Sequence, residues 1–183
     1  HPNPPDRIAA IRQAASRWQQ DHPQAQLVVN RDRYLQSVEG VVVGEDPRRG
    51  YVQGQVFYHP QLRFQFPVPA GWSLQNTASQ VQLFTEAQDA VILLSVASES
   101  SPAEAADAFV RGTGAAVLSS DAVRLNGLAA RRALCDVDTE QGAVRVQSCF
   151  IQKENVVYAF LGYCAPQAFA VHQPAFDQVM GQF

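Results

Sequence analysis

Basic character is lacking: the formal net charge is -3 at pH 7, so the chain carries no electrostatic footprint for nucleic acid or an anionic membrane. Long apolar runs are missing too. The run from Ala90 to Ala97, broken only by Ser95, has a strand's length and falls far short of the roughly 18 residues that span a bilayer. Cysteine is scarce, at Cys135, Cys149 and Cys164 only, with no CxxC spacing. That excludes a disulfide scaffold and argues against a zinc ribbon or a thioredoxin-like site. Each of the three reads as a small buried hydrophobe, and the odd count leaves at least one thiol free.

Signatures of catalysis are equally sparse. The four histidines, His1, His22, His59 and His172, stand singly, without the i, i+4 pair or the HExxH that grips zinc from one helix face. No G-x-S-x-G elbow is present, and Ser148-Cys149 lies inside a predicted strand, where a nucleophile lacks an exposing turn. The glycines at 40, 44, 50 and 54 do not match G-x-x-x-x-G-K-[ST], or G-x-G-x-x-G opening a helix. Glu45 and Asp46, followed by Arg48 and Arg49, read as a solvated, charge-compensated turn rather than a carboxylate pair for acid-base work. His172 reads as a satisfied histidine beside a helix start in preference to a ligand or a pH sensor. No catalytic residue, cofactor or metal ligand is assigned in this chain.

What is present is patterning. With 183 residues, 46% of them hydrophobic, the chain suits one sizeable core, or one domain with an appendage. It opens at His1 with no methionine and with neither the basic nor the apolar region of a signal peptide, so it is expected to be a piece of a longer protein. Residues 5 to 19, "PDRIAAIRQAASRWQ", space Ile8, Ile11, Ala15 and Trp18 on one stripe of an amphipathic helix. A lone helix of about 15 residues is marginal in water and must bury such a stripe against a partner. From Gln24 to Gly54 the pattern loosens into a partly extended connector. Its "EDPRRG" has Asp-Pro to start a turn and Gly50 free to take a positive φ.

After Gly54 the period becomes two. "LRFQFPV" alternates Leu62, Phe64, Phe66 and Val68 with polar residues, "PAGW" turns the chain, and Trp72 begins a second strand. "VQLFT" at 81–85 and "AVILLSVA" at 90–97 follow. The second is apolar on both faces and belongs centrally in a sheet covered on both sides. Ser101, Pro102 and Glu104 form a capping box for a helix that Gly112 and Gly114 end. "AVRLNG", "LAARRALCDV", "AVRVQSCFIQ" and "NVVYAFLGYC" then form an antiparallel meander. Aligning apolar faces sets Val137 opposite Val144 and Cys135 opposite Val146, which puts Cys149 near residue 132 on the other face and disfavours a Cys135–Cys149 bridge. Pairs with Cys164 stay open. "QPAFDQVMGQF" closes the chain as a second covering helix with Pro174 at its first position. The fold class is α+β: a twisted, mostly antiparallel sheet flanked by helices on both faces, preceded by an N-terminal helix and an extended linker.

"HPNPPDRIAAIR" at 1–12 and "NRDRYLQSVEGVVVGEDPRRGYVQGQVFYHPQLRFQFPVPAGWSLQNT" at 30–77 resemble the C-terminal part of bacterial M48-family zinc metalloproteases. His1, Pro2, Arg7 and Ile8 are similar to the start of the helix that ends that family's peptidase domain. Beyond residue 77 the pattern resembles the Mog1/PsbP-like fold. The resemblance implies three segments: 1–22 as the helical tail of a preceding peptidase domain, 23–54 as a linker with the "GEDPRRG" turn, and 55–183 as a Mog1/PsbP-like domain. It implies a non-catalytic accessory domain of a periplasmic or otherwise extracytoplasmic protease that acts in substrate or partner binding or in regulation. Zinc is expected in the peptidase domain and not in this chain, whose sequence has no HExxH. Expected partners are that peptidase domain and a protein substrate or another envelope protein. The expected interdomain or partner contacts are Ile8, Ile11, Trp18, Tyr34, Leu35, Asp46, Arg48 and Arg49. The alternative is a free-standing PsbP/Mog1-like protein-binding module.

Overall fold

A computed structural model describes residues 4–23, 30–38, 50–77 and 79–183. The chain divides into two units, residues 1–43 and 44–183. In the first unit, helix α1 spans Pro4–Asp21 and contains the predicted 5–19. It ends where the Trp18 carbonyl accepts both the backbone N–H and the ring Nδ1–H of His22, each at 3.0 Å, while the imidazole stacks on the indole at 4.5 Å. Helix α2 spans Arg31–Val38, and this corrects the reading of "NRDRY" as connector. Arg, Leu and Gln favour helix, Asp32 in the first turn complements the positive end of the dipole, and the Tyr34 N–H closes the first turn on the Asn30 carbonyl at 2.8 Å. The segment lacks a three-four apolar period, which hid it. The "GEDPRR" residues lie outside the described residues.

The second unit begins with a three-stranded antiparallel sheet of β1 (Tyr51–Gln53), β2 (Val56–His59) and β3 (Phe64–Pro67). Gly50, just before it, takes φ 116°. A side chain there would also strike the ring of Phe57. The other strands are β4 (Trp72–Asn76), β5 (Val81–Thr85), β6 (Ala90–Val96), β7 (Ala116–Leu125), β8 (Leu128–Thr139), β9 (Gly142–Lys153) and β10 (Val156–Cys164). They form one sheet in the order β4-β5-β6-β10-β9-β8-β7, and its neighbours pair antiparallel. The chain leaves β6 through helix α3 (Pro102–Thr113) to the far edge, then returns as the meander. The predicted register holds: Val137 faces Val144, Cys135 faces Val146 and Cys149 faces Arg132.

Helix α3 is capped as its sequence requires. The Ser101 side chain accepts the Glu104 N–H at 3.3 Å, the Ser100 hydroxyl donates to the Glu104 carboxylate at 2.7 Å, and Gly114 closes the C-terminus. One face of α3 covers Phe150, Val157 and Ala159 through Ala105 and Ala106. Helix α4 (Phe169–Gly181) and the small sheet belong to the core on the other face of the large sheet. This places the helices on two faces, as the two-sided apolar strands demand.

Pro174 was expected to open the last helix, but it sits inside α4. The preceding 3-10 turn, Pro166–Ala168, and the buried Phe169 start the helix earlier. Pro174 removes one hydrogen bond, that to the carbonyl of Ala170. Both residues are exposed, so water can serve that carbonyl.

The core is aromatic where the small sheet, α4 and β10 meet. Phe57, Phe64, Phe66, Phe160 and Phe176 are buried together, and Phe183 closes the cluster with its ring 5.0 Å from both Phe64 and Tyr158. The Asn126 amide donates to the Phe183 carbonyl at 2.9 Å. The Lys153 ammonium bonds the carbonyls of Leu62 and Arg63 and stands 5.8 Å over the Phe183 ring, which ties the β2–β3 loop to this cluster. At Gly162 a Cβ would lie 2.7 Å from the ring of Phe176, so the strand is bare where the ring rests on it. Gly162→Ala is expected to destabilise the chain by about 1–3 kcal/mol through overpacking, and Phe176→Ala by about 3–5 kcal/mol through loss of the ring. Both are read from urea denaturation, and an unchanged midpoint for Gly162→Ala would contradict this seat.

Candidate functional site

On α1, Ile8, Ile11 and Trp18 are 50%, 66% and 45% exposed. Every described side chain of that helix is exposed, so the stripe predicted from spacing exists and is left exposed among the described residues. Tyr34 and Leu35 on α2 are exposed as well. These five expected contacts therefore lie on two helices of one unit. Asp46, Arg48 and Arg49 lie outside the described residues.

In the sheet unit, chemistry begins with the thiols, all three of them free and buried. Burial pushes Cys149 up to about 11, the nearby Arg132 only partly offsetting it. Burial likewise raises Cys135 and Cys164. Protonated and enclosed, these thiols are poor nucleophiles. Among the described residues no three His, Cys, Asp or Glu side chains stand close enough to hold a metal ion.

His172 is satisfied, its Nε2 lying 3.3 Å from the Asp89 carboxylate and its ring edge-on to Trp72. The Thr85 hydroxyl above all, bonded at 2.6 Å, and then His172 hold the Asp89 carboxyl below its ordinary range. Asp136 is held low by a two-point grip from Arg145, with both bonds at 2.8 Å. These pairs fasten strands and turns.

Two clefts flank β7, the last strand of the sheet. One, of about 320 Å³, runs between α3 and the strand and is lined by Ala106, Val110, Arg111, Val117, Ser120 and Arg131. Its Arg131 donates to the Ser120 hydroxyl at 2.9 Å. The other, of about 120 Å³, opens on the opposite face beside α4. There the buried Gln147 amide donates to Asp177 at 2.9 Å, Arg132 stands 3.5 Å from the same carboxylate, and Asp121 and Gln173 complete the wall. Sequence reading passed over these residues. The signal was "ARRA" in an apolar strand, since adjacent strand residues face opposite sides and each arginine must emerge into its own cleft.

No protein-family model matches the chain, and no curated protein matches it. Solved structures do. A solution structure of cyanobacterial PsbP from Synechocystis sp. PCC 6803 superposes with a TM-score of 0.51 at 12% identity, over 87% of this chain and 97% of that one. The fold is PsbP-like. LpqN of Mycobacterium tuberculosis, a protein involved in cell envelope biogenesis, gives 0.44 at 13% identity over 64% of this chain and 79% of its own. A variant of the protein Mog1 gives 0.43 at 12% identity over 70% and 82%. The expected α+β class and PsbP-like architecture are thus what the chain has. No helix among the described residues is long and apolar enough to cross a membrane.

In the native chain at about pH 8, a thiol-specific disulfide reagent is expected to leave all three cysteines unlabelled and to react with them once urea unfolds it; rapid native labelling would place a thiol at the surface. The depressed Asp136 pKa contributes stability that is present above the unfolded value, near 3.9, and lost as pH falls through the lower folded value. Asp136→Asn is therefore expected to lower the urea midpoint at neutral pH and to flatten its decline in acid.

Proposed function

We propose that this chain is a non-catalytic protein-binding module, specifically the C-terminal accessory region of an extracytoplasmic M48-type zinc metalloprotease. The observation that carries the binding role is the bare stripe of α1. Isoleucine and tryptophan aligned on one helix face and left in water are the mark of a surface that a partner covers. The protease parent rests on the sequence motifs at 1–12 and 30–77 alone. In this reading α1 and α2 bind the peptidase domain, which holds the zinc, and the PsbP-like unit engages a protein substrate or another envelope protein. Asp46, Arg48 and Arg49 belong to the join between them. The second reading is a free-standing module, favoured by the match to almost the whole of a solved PsbP chain.

The coding sequence upstream of His1 separates the two: an HExxH within about 200 preceding residues, one domain's length, decides for the protease. In that parent, removing residues 55–183 is expected to alter cleavage of folded protein substrates while short peptides are cut as before. Unchanged rate, substrate choice and stability would overturn the regulatory role.

A further inference from the structure

We propose that the outer edge of β7 is a strand-addition site for an extended peptide in which apolar and basic residues alternate. This rests on the reading of the chain as a binding module and names the kind of partner its sheet unit takes. Strand β7 ends the sheet order, and among the described residues no strand pairs with its outer side, so its outward N–H and C=O groups are unpaired there. A register shift between Val117 and Ser119 breaks the edge at its start and leaves Ser119–Leu125 as the regular stretch.

An added strand sends successive side chains to opposite faces, and β7 has a cleft on each. On the α3 side, Ala106, Val110, Val117 and Ala133 give the larger cleft apolar lining, with Asp107, Arg111 and Arg131 around it. On the α4 side, Arg132 and the Gln147 amide already engage Asp177, whereas Asp121, although across from Arg132 in register, has no ion-pair partner among the described residues. An apolar side chain fits the first cleft, and a cation complements the unpaired carboxylate in the second. Backbone bonds would supply affinity and the two clefts the choice of sequence. The charges of Asp121 and Arg124 on the strand discourage indiscriminate edge pairing while leaving room for a complementary partner.

The test uses the whole chain and a short synthetic peptide alternating valine and lysine, followed by fluorescence anisotropy and amide chemical shifts. Binding with shifts centred on residues 119–125 is expected. N-methylation along one backbone edge of the peptide is expected to weaken binding by about tenfold or more, as loss of several hydrogen bonds requires, and Asp121→Lys to reverse the preference from the lysine peptide to a valine–glutamate one. Equal binding of the N-methylated peptide, or outward-facing β7 amides, those not bonded to β8, already protected from exchange in the free chain, would overturn the proposal. So would a two-chain mass in light scattering that Asp121→Lys abolishes, since a second copy would then own the edge. Binding with shifts elsewhere on the sheet unit overturns the β7 site and leaves the binding-module reading standing, whereas no binding overturns the site alone.

Discussion

The seating of Phe176 on the bare backbone of Gly162 is the contact on which the sheet unit turns. A ring that approaches a strand this closely fixes the height of α4 above the sheet. That height decides whether Phe183 can reach Phe64 and Tyr158, and so whether the small sheet of β1–β3 has a surface to rest on. Close-packed interiors transmit such constraints because no slack remains to absorb them. The opposite face is built differently, with α3 meeting the strands through Ala105 and Ala106, where small residues permit close approach without interlocking rings.

Much of this was legible in the chain. Period-two runs, a capping box and turn pairs act locally, and the meander register followed from requiring apolar faces to agree at Val137 and Val144. Helix α2 was not legible because it has no buried stripe; its helicity comes from propensity and end effects, which leave a weak mark on sequence. Pro174 misled because the proline rule describes isolated helix starts, whereas here Phe169, a tertiary anchor, drew the start upstream. The β7 clefts were invisible for another reason. They arise where two helices stop short of a sheet edge, a fact about lateral placement that no local pattern encodes.

The two units differ in what they ask of water. The sheet unit buries a broad apolar core and pairs charges across strands and beside turns, as Asp136 with Arg145 and Asp89 with His172. The N-terminal unit leaves its largest hydrophobes in solvent. A helix so exposed gains little from its own sequence, so a partner that covered Ile8, Ile11 and Trp18 would also supply much of the order of that segment. Binding and folding would then be one event, with the α1 surface stabilised in proportion to the concentration of what it met.

Lys153 is the only lysine in the sequence, and its ammonium holds two carbonyls of the β2–β3 loop above the Phe183 ring. These 183 residues therefore hold a single side-chain amine, and that amine is structural. Acylation, or any coupling reaction aimed at lysine, would attach its cargo at this one clasp and release the loop in the same stroke, whereas methylation would keep the cation and spare it.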